Sequence, residues 1–192
     1  MEDRKEAQRP GSVRGNPEEA LSPAALGLYE NPVPLFIQSV RVRTRKMELR
    51  IPFETSFGRF DSLVRLYPEI TFRTEDGEVV TGVGECSPLS APWYDDECHR
   101  STAVALGYLT ASLTGKGVEE ADGFASGTEP PVTGVLSFTS RYRWIVGHPM
   151  AKAGVEGAYW DGVARLRGVP MASLWGGTRK AVPTGTSVGL EP

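Results

Sequence analysis

With 192 residues, of which 40% are hydrophobic, the chain is long enough to form one domain with a sizeable core and an appendage. A net charge of −3 without a stripe of lysines and arginines argues against a general nucleic-acid-binding protein. No apolar run approaches the ~20 residues of a membrane span, and two cysteines, Cys86 and Cys98, are too few for a disulfide framework, so we expect a cytoplasmic protein with reduced thiols and no membrane partner.

Residues 1–34 differ in composition from the rest of the chain. They hold five of the fifteen prolines and ten charged residues, with only a brief apolar patch. Such a segment buries too little apolar surface to offset the entropy cost of ordering it. We therefore predict a disordered N-terminal extension over residues 1–34.

From Phe36 onward, apolar and charged residues alternate, which is typical of a half-buried strand. The two predicted faces carry Val40, Val42 and Thr44 on one side and Arg41, Arg43 and Arg45 on the other. We interpret the arginine face as the solvated one, because three alternating arginines need no anion site to explain them.

Two further strands are predicted after the first. Asp76-Gly77 is a hairpin signal that makes residues 70–73 and 79–85 antiparallel neighbours. Pro68 has no N–H to donate, so it is expected at an edge or at the entrance of the second strand. The three strands together predict an antiparallel meander.

The third predicted strand ends in Gly82-Val83-Gly84-Glu85. This run lacks the third glycine and the following helix of a nucleotide-binding loop, so it predicts no phosphate site. Glycines within a strand instead mark a bulge or the close approach of another backbone. Glu85 is expected in a surface ion pair.

Residues 51–61, between the first two strands, are predicted to form a long hairpin loop. The residues alone leave two interpretations open. The aromatic rings can tuck under the sheet, or the loop can be a lid that closes over a small acyl or aromatic substrate and excludes water. The residues of such a lid are Phe53, Thr55, Ser56, Phe57 and Gly58.

A helix is predicted over residues 97–113. Asp95, Asp96 and Glu97 are expected to cap its N-terminus rather than to bind a metal. The predicted apolar face consists of Ala105, Leu106, Tyr108, Leu109 and Leu113. His99 and His148 are expected to be structural, because neither has a partner at the spacing of a metal ligand.

Residues 114–133 are predicted to be a mobile connection, and residues 136–146 a helix with Trp144 buried.

A long helix is predicted over residues 148–167, with Pro149 in its first turn and Gly168 directly after its last turn. Each of its glycines costs roughly 0.8–1.0 kcal/mol relative to alanine, so the small residues predict the close approach of another element. These small residues are Ala153, Gly154, Gly157, Gly162 and Ala164. A short helix over residues 170–175 and a strand over residues 182–188 complete the chain.

Three stretches carry a family resemblance. They are AKAGVEGAYWD followed by GVPMASLWGGTRKAVPTGTSVG, LRIPFETSFG, and GVGEC followed by Pro92, Tyr94 and Glu97. In this order they resemble the muconate-lactonizing-enzyme branch of the enolase superfamily, which also contains mandelate racemase. Within it the chain is most similar to the o-succinylbenzoate synthase and N-acylamino acid racemase group.

The resemblance implies an α+β capping domain, a three-stranded antiparallel meander plus helices, that leads into the first strand of an incomplete (β/α)8 barrel. Its expected boundaries are residues 1–34 for the extension, 35–178 for the capping domain and 179–192 for the start of the barrel. A complete barrel takes about 250 residues, and only eleven remain from Val182 onward. We therefore expect a chain that is truncated before most of the barrel.

The resemblance also implies a chemistry. A lysine base abstracts the proton next to a carboxylate, and Mg²⁺ stabilises the ene-diolate because the carbon acid is very weak. By family pattern, the acid–base lysines and the three carboxylate metal ligands lie on later barrel strands. We therefore expect no catalytic residue and no metal ligand in this chain. Lys152, on the connecting helix, and Lys180, in a turn, are not substitutes.

For the binding site, the resemblance favours the lid interpretation, because this loop of the capping domain reaches over the barrel mouth and helps to set specificity. Ser187, on the first barrel strand, matches a substrate-contacting position of the racemase group, with a barrel-packing serine as the alternative. The expected partners are a small carboxylate substrate and the missing barrel domain. A homo-oligomer is left open, and no nucleic acid or membrane is expected.

We expect this chain alone to be inactive. One alternative is a stand-alone, non-catalytic module that binds a small molecule or a protein through residues 51–61 and 88–94. A finished module should not end in an unpaired strand, because an open strand edge is an aggregation hazard. Another alternative is a subunit that a separate barrel chain completes at residues 184–188.

Overall fold

The computed structural model describes residues 30–56, 58–116, 122–177 and 181–185. Most of the predicted N-terminal extension, residues 1–29, therefore lies outside the described residues. The described part forms an antiparallel sheet with its helices packed against the strands. The predicted α+β fold with a three-stranded antiparallel meander is confirmed.

The elements, numbered in chain order within the described residues, are five strands and four helices. The strands are β1 (Glu30–Thr55), β2 (Gly58–Arg73), β3 (Val79–Val83), β4 (Gly123–Phe124) and β5 (Val132–Gly134). The helices are α1 (His99–Thr114), α2 (Val135–Ser140), α3 (Pro149–Arg167) and α4 (Met171–Leu174). The sheet order is β3-β2-β1-β4, and β5 also pairs with β1.

The predicted hairpin between β2 and β3 is confirmed. Arg73 pairs with Val79, and Gly77 takes a φ of 94° that glycine tolerates best. The N–H of Thr74 donates to the carbonyl oxygen of Glu78 at 2.9 Å and closes the turn. The β1–β2 register pairs Val40 with Ile70, and both side chains are buried in the core.

Two predictions about irregular segments are wrong. Residues 30–34 belong to β1 rather than to an extension, because Glu30 pairs with Gly134 of β5. Residues 114–133 are not only a connection, because they contain β4 and the start of β5, and Val40 pairs with Gly123. Strands of two or three residues carry too little periodicity to be predicted from sequence.

Pro68 does not lie at an edge or at a strand entrance, as predicted. It lies within β2, opposite Val42 of β1. Its carbonyl accepts the N–H of Gly84, which directly follows the end of β3, at 2.9 Å. The N–H and C=O groups of one strand residue point to the same neighbouring strand. The N–H that proline lacks would therefore point toward the end of β3, and no hydrogen bond between β2 and β1 is lost.

The prediction that Trp144 is buried is also wrong. Helix α2 ends at Ser140, short of the predicted residue 146, and the Trp144 side chain is 63% exposed. Its indole Nε1 donates to the Ser112 hydroxyl at 3.2 Å, and its ring packs edge-on against Tyr108. Tyr108 itself is exposed, against the prediction, because α1 turns its other apolar residues to the core. Those are Ala105, Leu106, Leu109 and Leu113.

Glu97 caps a different helix from the one predicted. Helix α1 begins at His99 with Cys98 as its N-cap, and the Glu97 carboxylate reaches the start of α3 instead. It accepts the backbone N–H groups of Met150 at 2.5 Å and Ala151 at 3.1 Å. With only 3% of its side chain exposed, Glu97 joins the start of α1 to the N-terminus of α3, where a negative charge is favoured.

Glycines let α3 lie directly against β3, as the small residues predicted. A Cβ built on Gly82 would lie 2.0 Å from the Ala158 carbonyl oxygen, and one on Gly84 would lie 1.8 Å from that of Gly154. Asp161 of the same helix accepts the N–H of Val83 at 2.9 Å. The edge of the sheet is therefore covered by a helix whose backbone nearly touches it.

The predicted strand over residues 182–188 is not formed where the structure describes it. Residues 181–185 have no regular secondary structure, and none of the described strands pairs with them. A single strand is not stable without a paired neighbour. The remainder of that prediction lies outside the described residues.

We expect Gly84→Ala to lower the free energy of unfolding by about 3 kcal/mol, because the added methyl group collides with the backbone of α3. Gly157→Ala is the matched control. Its Cβ would lie 3.7 Å from the nearest atom, the Gly84 Cα, so it should be neutral or stabilise the helix by up to roughly 1 kcal/mol. Urea unfolding measures both, and equal effects would refute the close contact.

We expect Glu97→Gln to destabilise the chain by about 1–3 kcal/mol, because one acceptor oxygen becomes an NH₂ group facing N–H donors. Asp96→Asn, in the same acidic run but exposed, should change the free energy of unfolding by less than about 0.5 kcal/mol. Urea unfolding of the two variants at neutral pH tests this. A Glu97→Gln chain as stable as the wild type would show that the cap contributes nothing.

Candidate functional site

The end of the β1–β2 hairpin forms one side of the candidate site. The sequence predicted a loop over residues 51–61, but the structure continues both strands to a tight turn. Phe53 pairs with Phe60, and Thr55 pairs with Gly58. The loop prediction failed because the aromatic residues face each other across the strands, where such pairs stabilise a sheet.

The hairpin turn depends on Gly58, one of the residues predicted to form the lid. Gly58 takes a φ of 151°, a conformation that favours glycine. The Thr55 hydroxyl donates to the Gly58 carbonyl at 3.3 Å across the turn. Ser56 is exposed at the tip, and Phe57 lies outside the described residues.

Charged side chains face each other across the end of this hairpin. Arg59 contacts the Glu54 carboxylate at 2.6 Å on the opposite strand and the Asp61 carboxylate at 3.1 Å on its own. All three side chains are largely exposed, so each pair contributes little to stability. They are compatible with the register in which Glu54 faces Arg59, which the hydrophobic pattern and the turn geometry set.

Four aromatic residues form a continuous surface, here called the aromatic ridge: Phe53, Phe60, Trp93 and Tyr94. The ring centroids of Phe53 and Phe60 are 6.4 Å apart, and Phe60 stacks on Trp93 at 5.2 Å. Trp93 contacts Tyr94 edge-on at 6.5 Å. Phe53 is 56% exposed and Tyr94 76% exposed. The ridge thus joins the hairpin to the segment before α1 and offers rings to a ligand or a partner.

A cavity of about 380 Å³ lies beside the ridge. The first half of β2, residues 88–90 and the start of α1 line it, with the side chains of Arg65, His99 and Arg100. Arg65 donates to the Pro88 carbonyl at 3.3 Å and contacts the Glu85 carboxylate at 3.3 Å. The predicted surface ion pair of Glu85 is therefore confirmed.

Of the predicted site residues, the structure gathers Phe53, Thr55, Ser56 and Gly58 at one hairpin end. Ser187, like Phe57, lies outside the described residues, so its role stays a prediction. The sequence interpretation missed Phe60 and the cationic cavity. Placing the turn at residues 56–57 would have put Phe60 opposite Phe53, and this pairing was the sequence signal for Phe60.

A larger cavity, of about 500 Å³, lies near the start of β1. Its lining includes Phe36, Arg73 and Phe124. The Arg73 guanidinium lies over the Phe36 ring at 5.3 Å and donates to the Thr74 carbonyl, so local contacts already occupy it. We therefore place the candidate site at the aromatic ridge.

The two cysteines differ in their surroundings, and neither forms a disulfide. Burial raises the pKa of the Cys86 thiol to about 12. Hydrogen bonds from the Ser101 backbone N–H and hydroxyl lower the pKa of Cys98 at the start of α1. Cys98 is therefore the better nucleophile near neutral pH.

The described residues hold neither a metal site nor a helix of the kind that spans a membrane. Among them, no group of three or more His, Cys, Asp or Glu side chains could hold a metal ion. They therefore do not fit the Mg²⁺ that the resemblance implies. Within the same residues, no helix has the length and apolar character needed to cross a membrane.

Known sequences that are similar to this chain agree with the family resemblance. The family model for the N-terminal domain of mandelate racemase / muconate lactonizing enzyme matches residues 37–176. The o-succinylbenzoate synthase of Geobacillus kaustophilus is 33% identical over 81% of this chain and 37% of its own length. The N-succinylamino acid racemase of Thermus thermophilus is 31% identical over the same shares. The chain thus spans 37% of the length of these two relatives.

Solved structures agree in fold. A member of the enolase superfamily from Listeria innocua matches with a TM-score of 0.63 and 25% identity, over 82% of this chain and 38% of its own. Muconate lactonizing enzyme from Pseudomonas fluorescens, complexed with muconolactone, matches with a TM-score of 0.56 over 73% and 34%. At 19% identity, the latter supports the fold alone.

We expect a thiol reagent such as DTNB at pH 8 to label Cys98 in the native chain and to leave Cys86 unlabelled. The thiolate is the reactive form, and the raised pKa keeps Cys86 protonated at this pH. Cys98→Ser should abolish native labelling, and denaturant should release Cys86 in both chains. Rapid labelling of native Cys98→Ser would contradict the assignment.

Proposed function

Because the chain belongs to the mandelate racemase / muconate lactonizing enzyme family of the enolase superfamily and carries its N-terminal domain, we propose that it is the capping part of a complete enzyme. That enzyme would abstract the proton next to the carboxylate of a small substrate. The relatives favour an o-succinylbenzoate synthase or an N-acylamino acid racemase. A cytoplasmic location belongs to the same proposal.

The observation that carries the proposal is the aromatic ridge at the end of the β1–β2 hairpin. Phe53 and Tyr94 are exposed although each belongs to a ring cluster, and the sheet does not need them for its core. Exposed, clustered rings are suited to cover an apolar part of a substrate and to exclude water. In the proposal, Phe53, Thr55, Ser56, Phe57 and Gly58 form this cover, and Ser187 contacts the substrate from the first barrel strand.

The proton transfer itself would need groups from elsewhere. When bound in the complete enzyme, Mg²⁺ would supply the positive charge that stabilises the ene-diolate. Lys152 does not offer a free base, because its ammonium group donates to the Ile145 carbonyl at 2.5 Å. Lys180 lies outside the described residues. The proposal therefore assigns covering and orientation of the substrate, rather than catalysis, to this chain.

A stand-alone binding module is the alternative. The observation in its favour is that the aromatic ridge and the neighbouring cavity of about 380 Å³ are both complete within the described residues. Such a module would bind a small molecule or a protein without turnover. A subunit that a separate barrel chain completes is the third arrangement.

Sequencing the source DNA beyond the codon for Pro192 separates these arrangements. The proposal expects the reading frame to continue through a Lys-x-Lys strand and regularly spaced acidic strand ends. A stop codon at this place would overturn the single-chain form and leave the binding module or the separate barrel subunit. A pull-down from the source cell then distinguishes those two, because only the subunit would retain a barrel protein.

We expect the purified 192-residue chain to show no Mg²⁺-dependent formation of o-succinylbenzoate and no racemisation of N-succinylamino acids. The physical reason is the missing metal site among the described residues. The full-length Geobacillus kaustophilus relative, assayed in parallel, is the positive control. If this chain alone turns over either substrate and chelation of Mg²⁺ abolishes that activity, the proposal that it only covers and orients the substrate is wrong.

A further inference from the structure

Apolar side chains are exposed on the outer surface of α1 and α2. Leu136 of α2 and Trp144, just beyond the end of α2, are each 63% exposed. The Trp144 ring packs edge-on against Tyr108 of α1, and Val104 lies one turn earlier on the same face of α1. These four residues, here called the apolar strip, form the kind of exposed apolar surface that marks an interaction site.

The chain continues in helical turns from Leu136 to Trp144. Beyond Ser140, where α2 ends, the backbone N–H groups of residues 141–143 each donate to the carbonyl three residues earlier. The side of these turns that faces the core carries Val135, Phe138, Tyr142 and Ile145. Leu136 and Trp144 therefore lie on the solvent side. At about 1.5–2.0 Å per residue, they are roughly 12–16 Å apart.

The polar groups at the apolar strip already have partners. The Trp144 indole Nε1 donates to the Ser112 hydroxyl at 3.2 Å, and this hydroxyl donates to the Tyr108 carbonyl at 2.9 Å. An occupant of the strip therefore needs no hydrogen-bonding group to satisfy these atoms. It needs apolar side chains, because removing apolar surface from water is what stabilises such a contact.

The first strand enters the sheet beside one end of the apolar strip. Leu35 of β1 pairs with Val132 of β5, and Glu30, at the start of β1, pairs with Gly134. From Leu35 back to Glu30, β1 therefore runs toward α2, which begins directly after Gly134. The segment that precedes Glu30 is thus attached to the sheet next to Leu136.

The preceding segment has a suitable composition and length. Residues 24–29, with the sequence AALGLY, contain two leucines, a tyrosine and no charged residue. An extended chain covers at most about 3.3–3.6 Å per residue, so these six residues reach roughly 20 Å. That length is enough to follow the apolar strip from Leu136 to Trp144.

We propose that residues 24–29 pack along the apolar strip of their own chain. A second copy of the chain fits the strip less well, because a stable dimer buries about 800 Å² per partner. The strip has only four partly exposed side chains, and even a fully buried aromatic side chain contributes only about 150–250 Å². The proposal goes beyond the proposed function, because it needs neither a substrate nor a barrel.

Limited proteolysis of the full 192-residue chain tests this proposal. Chymotrypsin cuts after leucine and aromatic residues, and mass spectrometry of the released N-terminal peptides gives the rate of cleavage within residues 24–29. A packed segment must leave the strip before it is cut, so the rate follows the population of the open form. We expect Leu136→Ser to raise this rate about tenfold, which corresponds to about 1.4 kcal/mol. Trp144→Ser should raise it as well.

Phe124→Ser is the matched control, because Phe124 is 61% exposed but belongs to β4. It should leave the rate within residues 24–29 unchanged. Cleavage after the buried Phe72 reports global unfolding, and it should stay slow in every variant.

Three results would overturn the proposal. Equal cleavage of the wild type, Leu136→Ser and Trp144→Ser would show that the strip does not hold the segment. Faster cleavage in Phe124→Ser alone would indicate packing at the cavity near the start of β1, which Phe124 lines. Protection that increases with protein concentration, together with a dimer in analytical ultracentrifugation, would assign the strip to a second copy. None of these results depends on enzyme activity, so failure here leaves the proposed function intact.

Discussion

The contact between α3 and β3 determines how the rest of this structure is arranged. At Gly82 and Gly84, the strand lies so close to the helix that a single methyl group would overlap the helix backbone. Such an approach orients the helix axis tightly, because no side chain separates the two backbones. Asp161 then satisfies the N–H of Val83 at the strand edge. The sheet and α3 therefore form one tightly packed unit, which positions the β1–β2 hairpin and the segment before α1.

The candidate site depends on this body through Glu97. The carboxylate holds the N-terminus of α3 while its backbone belongs to the segment that leads into α1. That segment also carries Trp93, which stacks on Phe60 of the hairpin. Glu97 thus joins the part of the ridge that carries Trp93 and Tyr94 to α3, whereas Phe53 and Phe60 belong to the strands of the sheet itself.

The sequence predicted the parts that follow from local rules. The Asp76-Gly77 turn, the limits of α3 and the close approach at Gly82 each follow from the conformational freedom of glycine or from helix-end preferences. Two of the failures depend on long-range partners. Glu97 looked like a cap of its own helix, and Pro68 looked like an edge residue, because the groups that decide their roles are distant in sequence.

The same distinction explains why the hairpin end was difficult to predict. Residues 51–61 contain a turn glycine and exposed aromatic rings, and these features are equally typical of a loop. Only the pairing of Phe53 with Phe60 shows that the segment is a strand pair carried by the sheet. In the proposed role as a cover, paired strands present the rings with less conformational freedom than a loop would. Less ordering entropy would then be lost on binding a ligand.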